Sequence, residues 1–138
     1  MPTAFAASRS NLALLPLLVV LVSPAGAAPE PRAQGKRIFE RDCAACHEIG
    51  PGAASLSNGP ELNGIIGMPA GDEPGFGYSD SNRKSGVIWS AKTFDAFIAN
   101  PKAVMPGTSM AYPGLKGAGD RKALLAYISA FDAHGATR

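Results

Sequence analysis

Large apolar residues recur at helical spacing in three parts of the chain. Ile38 and Phe39 sit in a first such segment, residues 33–46, which predicts a helix. After Ser90, a residue type that caps helix starts, Phe94, Phe97 and Ile98 fall at i, i+3 and i+4. That helix has to stop near Asn100, because Pro101 disfavours helical backbone in the residue before it. A third helix is expected after Asp120, another capping type, with Leu124, Tyr127, Ile128 and Phe131 on one face. Nothing alternates at period two, so no sheet is predicted and the fold class is all-α. Between the helices lie two irregular stretches, residues 48–89 and 102–119, punctuated by Pro51-Gly52, Gly59-Pro60, Pro74-Gly75 and Pro106-Gly107. A structureless stretch of about forty residues is uncommon in a compact domain. It becomes reasonable when the chain wraps a large rigid object that supplies the missing apolar surface.

The amino terminus follows a different pattern. Arg9 is the one charge ahead of the apolar run Leu12 to Val22, after which come Pro24 and the small residues Ala25-Gly26-Ala27-Ala28. A positive start, an apolar middle and an A-x-A close describe a secretory signal peptide. As a helix the run covers about 16 Å at ~1.5 Å per residue, roughly half of a ~30 Å bilayer core, and Pro16 interrupts it. The expected organisation is therefore a leader over residues 1–27, cleaved after Ala27, and one domain over residues 28–138. Export to the periplasm follows.

Charge narrows the partners. Of thirteen Lys and Arg, Arg9 lies in the leader, leaving twelve against eleven Asp and Glu. No basic run occurs, so nucleic acid, which demands a concentrated cationic face, is excluded. The two cysteines, Cys43 and Cys46, are separated by two residues, and a disulfide there would close almost no loop.

Cys43-Ala-Ala-Cys46-His47 is the C-x-x-C-H pattern of covalent haem attachment. Two thiols one short turn apart reach two vinyl groups on one porphyrin edge, and the next residue offers an imidazole to the iron. A thioredoxin-like pair would follow a strand, and none precedes Cys43. A structural zinc site wants four ligands, and the only other histidine is His134. For the sixth iron position Met68, Met105, Met110 and His134 all remain open on the residues alone. Met110 is favoured modestly because Pro106-Gly107-Thr108-Ser109-Met110 forms a turn able to present a thioether.

The chain resembles class I cytochromes c of the mitochondrial and bacterial c2/c-550 type, from Gly35 to about Phe131. Gly35-Lys-Arg-Ile-Phe39 is similar to the family's first helix, which crosses the last one, where Leu124 and Tyr127 stand. Asn58-Gly59-Pro60 resembles the segment whose proline carbonyl buttresses the ligating histidine. Phe76 to Ser79, with Tyr78, and then Asn82 and Trp89 resemble the propionate-binding stretch. Asn100-Pro101-Lys102 and Pro106 to Met110, including Thr108, resemble the axial-methionine loop. The resemblance implies three main helices and long Gly/Pro-rich loops around one haem c. It implies thioethers at Cys43 and Cys46, and His47 and Met110 as axial ligands.

It further implies a soluble, monomeric one-electron carrier and no enzyme. Expected partners are quinol-cytochrome c oxidoreductase and a terminal oxidase or another periplasmic acceptor, with only transient docking at the membrane surface. The alternative is a haem c protein with a labile sixth ligand, acting as a peroxidase or gas binder. Three departures stand out. Met68 replaces an arginine common on the propionate side, Phe97 replaces a tyrosine near the axial methionine, and Asp42, Ala103 and Ser109 stand where lysines are common. Lys102, Lys116 and Tyr112 are the candidate partner surface, and the oxidised holoprotein sums to zero charge, which implies weak long-range steering.

Overall fold

The computed structural model describes residue 1 and residues 30–138. The expected leader and its cleavage after Ala27 fall on residues outside those described.

Helix α1, Pro31–Asp42, opens on a proline, whose missing N–H is harmless in a first turn. It buries Gly35, Ile38 and Phe39 on one face and ends where the Cys43 N–H bonds the Phe39 carbonyl. The predicted continuation to Cys46 is instead a tight turn, in which the N–H groups of Cys46 and His47 both bond the Cys43 carbonyl, at 3.0 and 2.9 Å.

Two short helices lie inside stretches expected to be irregular. Helix α2, Asp80–Arg83, is capped by Ser79, and α4, Pro101–Val104, is capped by the Asn100 side chain. Between them α3, Ala91–Ala99, follows expectation. Ser90 and Thr93 form a reciprocal capping box, and Phe94, Phe97 and Ile98 are buried. Pro101 ends α3 at Asn100 and at once begins α4, since a proline that breaks one helix is well suited to open the next.

Helix α5, Ala118–Ile128, corrects the expected start: Gly117 is its N-cap, and Asp120 lies in the first turn. The Asp120 carboxylate accepts from Gln34 Nε2 at 2.7 Å, so it joins α5 to α1 rather than capping its own helix. Phe131 falls beyond the helix end, yet its ring stays edge-on to Tyr127 at 5.2 Å.

The α1–α5 crossing is the firmest contact in the fold. A Cβ on Gly35 would stand 2.0 Å from the Ala123 carbonyl oxygen, so only glycine permits this approach. Phe39 meets Tyr127 at 5.6 Å, and Leu124 is completely enclosed. Helix α3 packs on α5 through Arg121, which bonds Asp95 at 2.7 Å and the carbonyls of Leu115 and Lys116. Among the described residues there are no strands, only isolated bridges joining Pro69 to Ile88 and Phe131 to Thr137. No helix among them is long and apolar enough to cross a membrane.

Candidate functional site

The loops enclose a cleft of about 990 Å³, open mouth included. Its walls are mainly apolar, with Leu62, Ile65, Phe94, Phe97 and Trp89 among them. Trp89 meets Phe97 edge-on at 5.1 Å, which fixes one wall.

One end is built from the turn after α1. Cys43 is 8% exposed, and burial pushes its thiol up to about 12. Cys46 is half-buried and is not itself part of the cleft wall; its Sγ accepts from Asn58 Nδ2 at 3.1 Å, and Asn58 does line the cleft. Both thiols are free. His47 lines the cleft, with its Nδ1 2.7 Å from the Pro60 carbonyl. A carbonyl only accepts, so Nδ1 carries the proton and Nε2 keeps its lone pair. Burial holds the imidazole below its ordinary value, partly opposed by the Pro60 bond, so the neutral form is favoured. The close approach of residues 58–60 depends on Gly59, where a Cβ would lie 2.2 Å from the Cys46 carbonyl oxygen and 2.8 Å from the His47 ring.

A second segment brings Thr108 and Met110 to the same cleft. The Met110 N–H bonds Thr108 Oγ1 at 3.3 Å, and the Thr108 N–H closes a turn onto the Met105 carbonyl at 3.0 Å. Ser81 Oγ donates to the Pro106 carbonyl and ties this loop to α2. Of the other sulfur and nitrogen candidates, Met68 also lines the cleft. Met105 is 1% exposed in the core, and His134 is exposed near the carboxyl terminus.

Tyr78, Asn82 and Trp89 reach the cleft as expected. Asn82 Oδ1 is buried with no partner, the one such side-chain atom among the described residues. Burial pushes the Tyr78 hydroxyl up to about 12. Three expected surface residues do not line the cleft. Lys102 is exposed on α4. Lys116 Nζ donates to the carbonyls of Ala99 and Pro113, and the Tyr112 hydroxyl donates to Asp42 Oδ2 at 3.2 Å. Sequence reasoning missed Glu61 and Glu73, both in the wall, because only the folding of distant loops brings them there.

These residues fit a flat, mostly apolar group that takes one nitrogen and one sulfur donor and is fixed by two thiols. The orphaned Asn82 oxygen adds an acceptor buried in the cleft wall. No cluster of three or more His, Cys, Asp or Glu occurs among the described residues, so the donor set does not suit a bare metal ion.

Comparison with known proteins gives the same direction. The cytochrome c family profile matches residues 32–131. A cytochrome c2 of Blastochloris viridis is 42% identical over 122 residues, covering 88% of this chain and 94% of that protein. A cytochrome c2 of Rhodoblastus acidophilus is 46% identical over 101 residues, 73% of this chain and 92% of that one. Among solved structures, cytochrome cH from Methylobacterium extorquens superposes with a TM-score of 0.65 at 33% identity, covering 70% of this chain and 95% of that chain.

Proposed function

Because the chain belongs to the cytochrome c family, class I and c2 type, we propose that it is an exported carrier that moves single electrons between redox complexes in the periplasm. The family assignment carries one covalent haem c and an electron-transfer rather than enzymatic role. The proposed organisation is a leader over residues 1–27 and the cytochrome domain over residues 28–138.

The proposed attachment is through thioethers at Cys43 and Cys46, with His47 and Met110 as axial ligands. When bound, the haem would supply a one-electron couple, with His47 and Met110 as the residues to hold its iron. The observation that carries this reading is the 2.7 Å bond from His47 Nδ1 to the Pro60 carbonyl, which leaves Nε2 as the free donor in the cleft that Met110 also lines. Asn82, Trp89 and Tyr78 would hold the propionates, and Thr108 would brace the methionine loop. With His47 and Met110 both engaged, no coordination position would remain for a substrate.

Quinol-cytochrome c oxidoreductase as donor and a terminal oxidase or other periplasmic protein as acceptor suit this role. Lys102, Lys116 and Tyr112 remain the proposed docking rim. Because Lys116 and Tyr112 already make internal hydrogen bonds, a partner has to compete for them.

Intact mass and an optical spectrum of the exported protein test the proposal together. The expected mass is the chain from Ala28 plus one haem, with a low-spin oxidised spectrum bearing the weak far-red band of methionine ligation. Met110→Ala should lose that band and admit carbon monoxide to the reduced protein. Ready carbon monoxide binding by the wild type would overturn the carrier reading in favour of a gas-binding or peroxidase role.

A further inference from the structure

The charges lining the cleft are all of one sign. Among the described residues that line it there is no lysine or arginine, but there are two carboxylates, Glu61 and Glu73. They arrive from separate segments, Glu61 directly after Pro60 and Glu73 just past the turn at Gly71. The Glu61 carboxylate is fixed by the Asn63 N–H, 2.8 Å from its Oε2. Burial and then the Glu61 charge raise the Glu73 carboxyl above the ordinary range, and no cation opposes them.

The surroundings of Glu73 offer no compensation. From its own loop come Asp72 and Tyr78; burial raises the Tyr78 hydroxyl, a hydrogen bond to the Glu73 backbone opposes this, and the charges of Glu73, Asp72 and Glu61 raise it further. From α2, the Arg83 backbone passes 3.0 Å from where a Gly71 Cβ would stand. Yet Arg83 and Lys84 both turn to Asp80, at 2.9 and 3.0 Å. On the adjoining wall Met68 is held beside Trp89, whose N–H bonds the Met68 carbonyl at 2.9 Å, and a thioether brings no charge. On the reading proposed above, the bound group adds two further carboxylates to this cleft.

We propose that Glu73 is a redox-linked proton acceptor, taking a proton from water when the centre gains an electron and returning it when the electron leaves. Each reduction takes one electron from the donor protein and up to one proton from solvent, and each oxidation gives both back. The cleft's net charge falls by one on reduction. Among the described cleft-lining residues no cation stands beside these carboxylates, and Glu61 is already engaged by the Asn63 N–H, which leaves Glu73 as the wall carboxylate placed to absorb that change. Glu73 is a tuning residue: it touches no transferred electron and acts through the charge it holds.

The test is the midpoint potential of the holoprotein as a function of pH, with proton uptake on reduction measured in weak buffer. A roughly tenfold rise in Glu73 proton affinity on reduction corresponds to a fall of ~59 mV as pH rises through its titration, for a one-electron couple. In Glu73→Gln most of that span should vanish, with the potential on the alkaline side above wild type. In Glu61→Gln and Met68→Arg the span should persist but move to lower pH. An unchanged span in Glu73→Gln overturns the proposal, as does a span lost in Glu61→Gln but kept in Glu73→Gln. The wild type offers a check free of folding effects: its redox difference infrared spectrum should gain a protonated-carboxyl signal on reduction, and the absence of one overturns the assignment. The far-red methionine band in the same samples separates the two readings. Its loss counts against the ligands, whereas its presence with a flat pH profile counts against Glu73 alone.

Discussion

The α1–α5 crossing and the cleft loops are held together in opposite ways. At the crossing, the chain packs on itself: Gly35 lets two backbones approach, and Phe39, Leu124 and Tyr127 fill the seam. Around the cleft, separate loops and α3 contribute Leu62, Ile65, Trp89, Phe94 and Phe97 to a shared apolar wall. The first region specifies geometry through side-chain volume, the second through a few directed hydrogen bonds such as His47 to Pro60 and Met110 to Thr108. Mutations should therefore harm stability at the crossing and spectroscopic properties at the cleft.

Gly35→Val should break this contrast most severely. Its side chain would overlap the Ala123 carbonyl and the Tyr127 Cβ, and a loss of at least ~3 kcal/mol is expected in denaturant unfolding. The far-red band of whatever protein folds should be unchanged, and an altered band would show that the two regions are not separable.

Gly59→Ala should act in the reverse sense. The added methyl meets the Cys46 carbonyl and the His47 ring, so about 1–3 kcal/mol is expected together with a displaced imidazole and a changed absorption spectrum. A stability loss with an unaltered spectrum would remove Gly59 from the set of residues that seat His47.

The smallest effect is expected where the two regions meet. Asp42 ends α1 and accepts from both Arg41 and Tyr112, so Tyr112→Phe should cost about 1 kcal/mol or less. The Arg41 hydrogen bond first, and Tyr112 in addition, hold the Asp42 carboxyl below its ordinary range. A depressed carboxyl stabilises the fold above its unfolded pKa of ~3.9 and loses that contribution as pH falls through the folded value. The gap between wild type and Tyr112→Phe in thermal unfolding should accordingly close below about pH 4. A gap that persists in acid would mean the hydroxyl acts through packing instead.

What could be read from the chain divides along the same line. Ser90, the Phe94–Ile98 spacing and Pro101 defined α3 because capping and periodicity are local. Asp120 misled for the same reason: it is a good capping type, but its carboxylate is engaged by Gln34 on another helix, and Gly117 opens α5. Helices α2 and α4, four residues each, are too short for any period to appear and rest on their caps alone. The Cys43–His47 turn, the Pro60 buttress and the loop to Met110 were legible from the motif and the family resemblance, and they meet in one cleft. Glu61 and Glu73 were not, since nothing near either residue in sequence indicates that they share a wall. Nor does local sequence reveal that Lys116 and Tyr112 are already tied within the protein.

The enclosure of Cys43 also sets an order of events. In the finished fold its thiol is buried and strongly disfavours the thiolate, while Cys46 is covered in part by Asn58. On the proposed attachment at Cys43 and Cys46, thioether formation would belong to a stage when residues 58–60 have not yet closed over the turn. On that attachment, maturation would precede folding, since a chain that folded early would shut away one of the two sulfurs it needs.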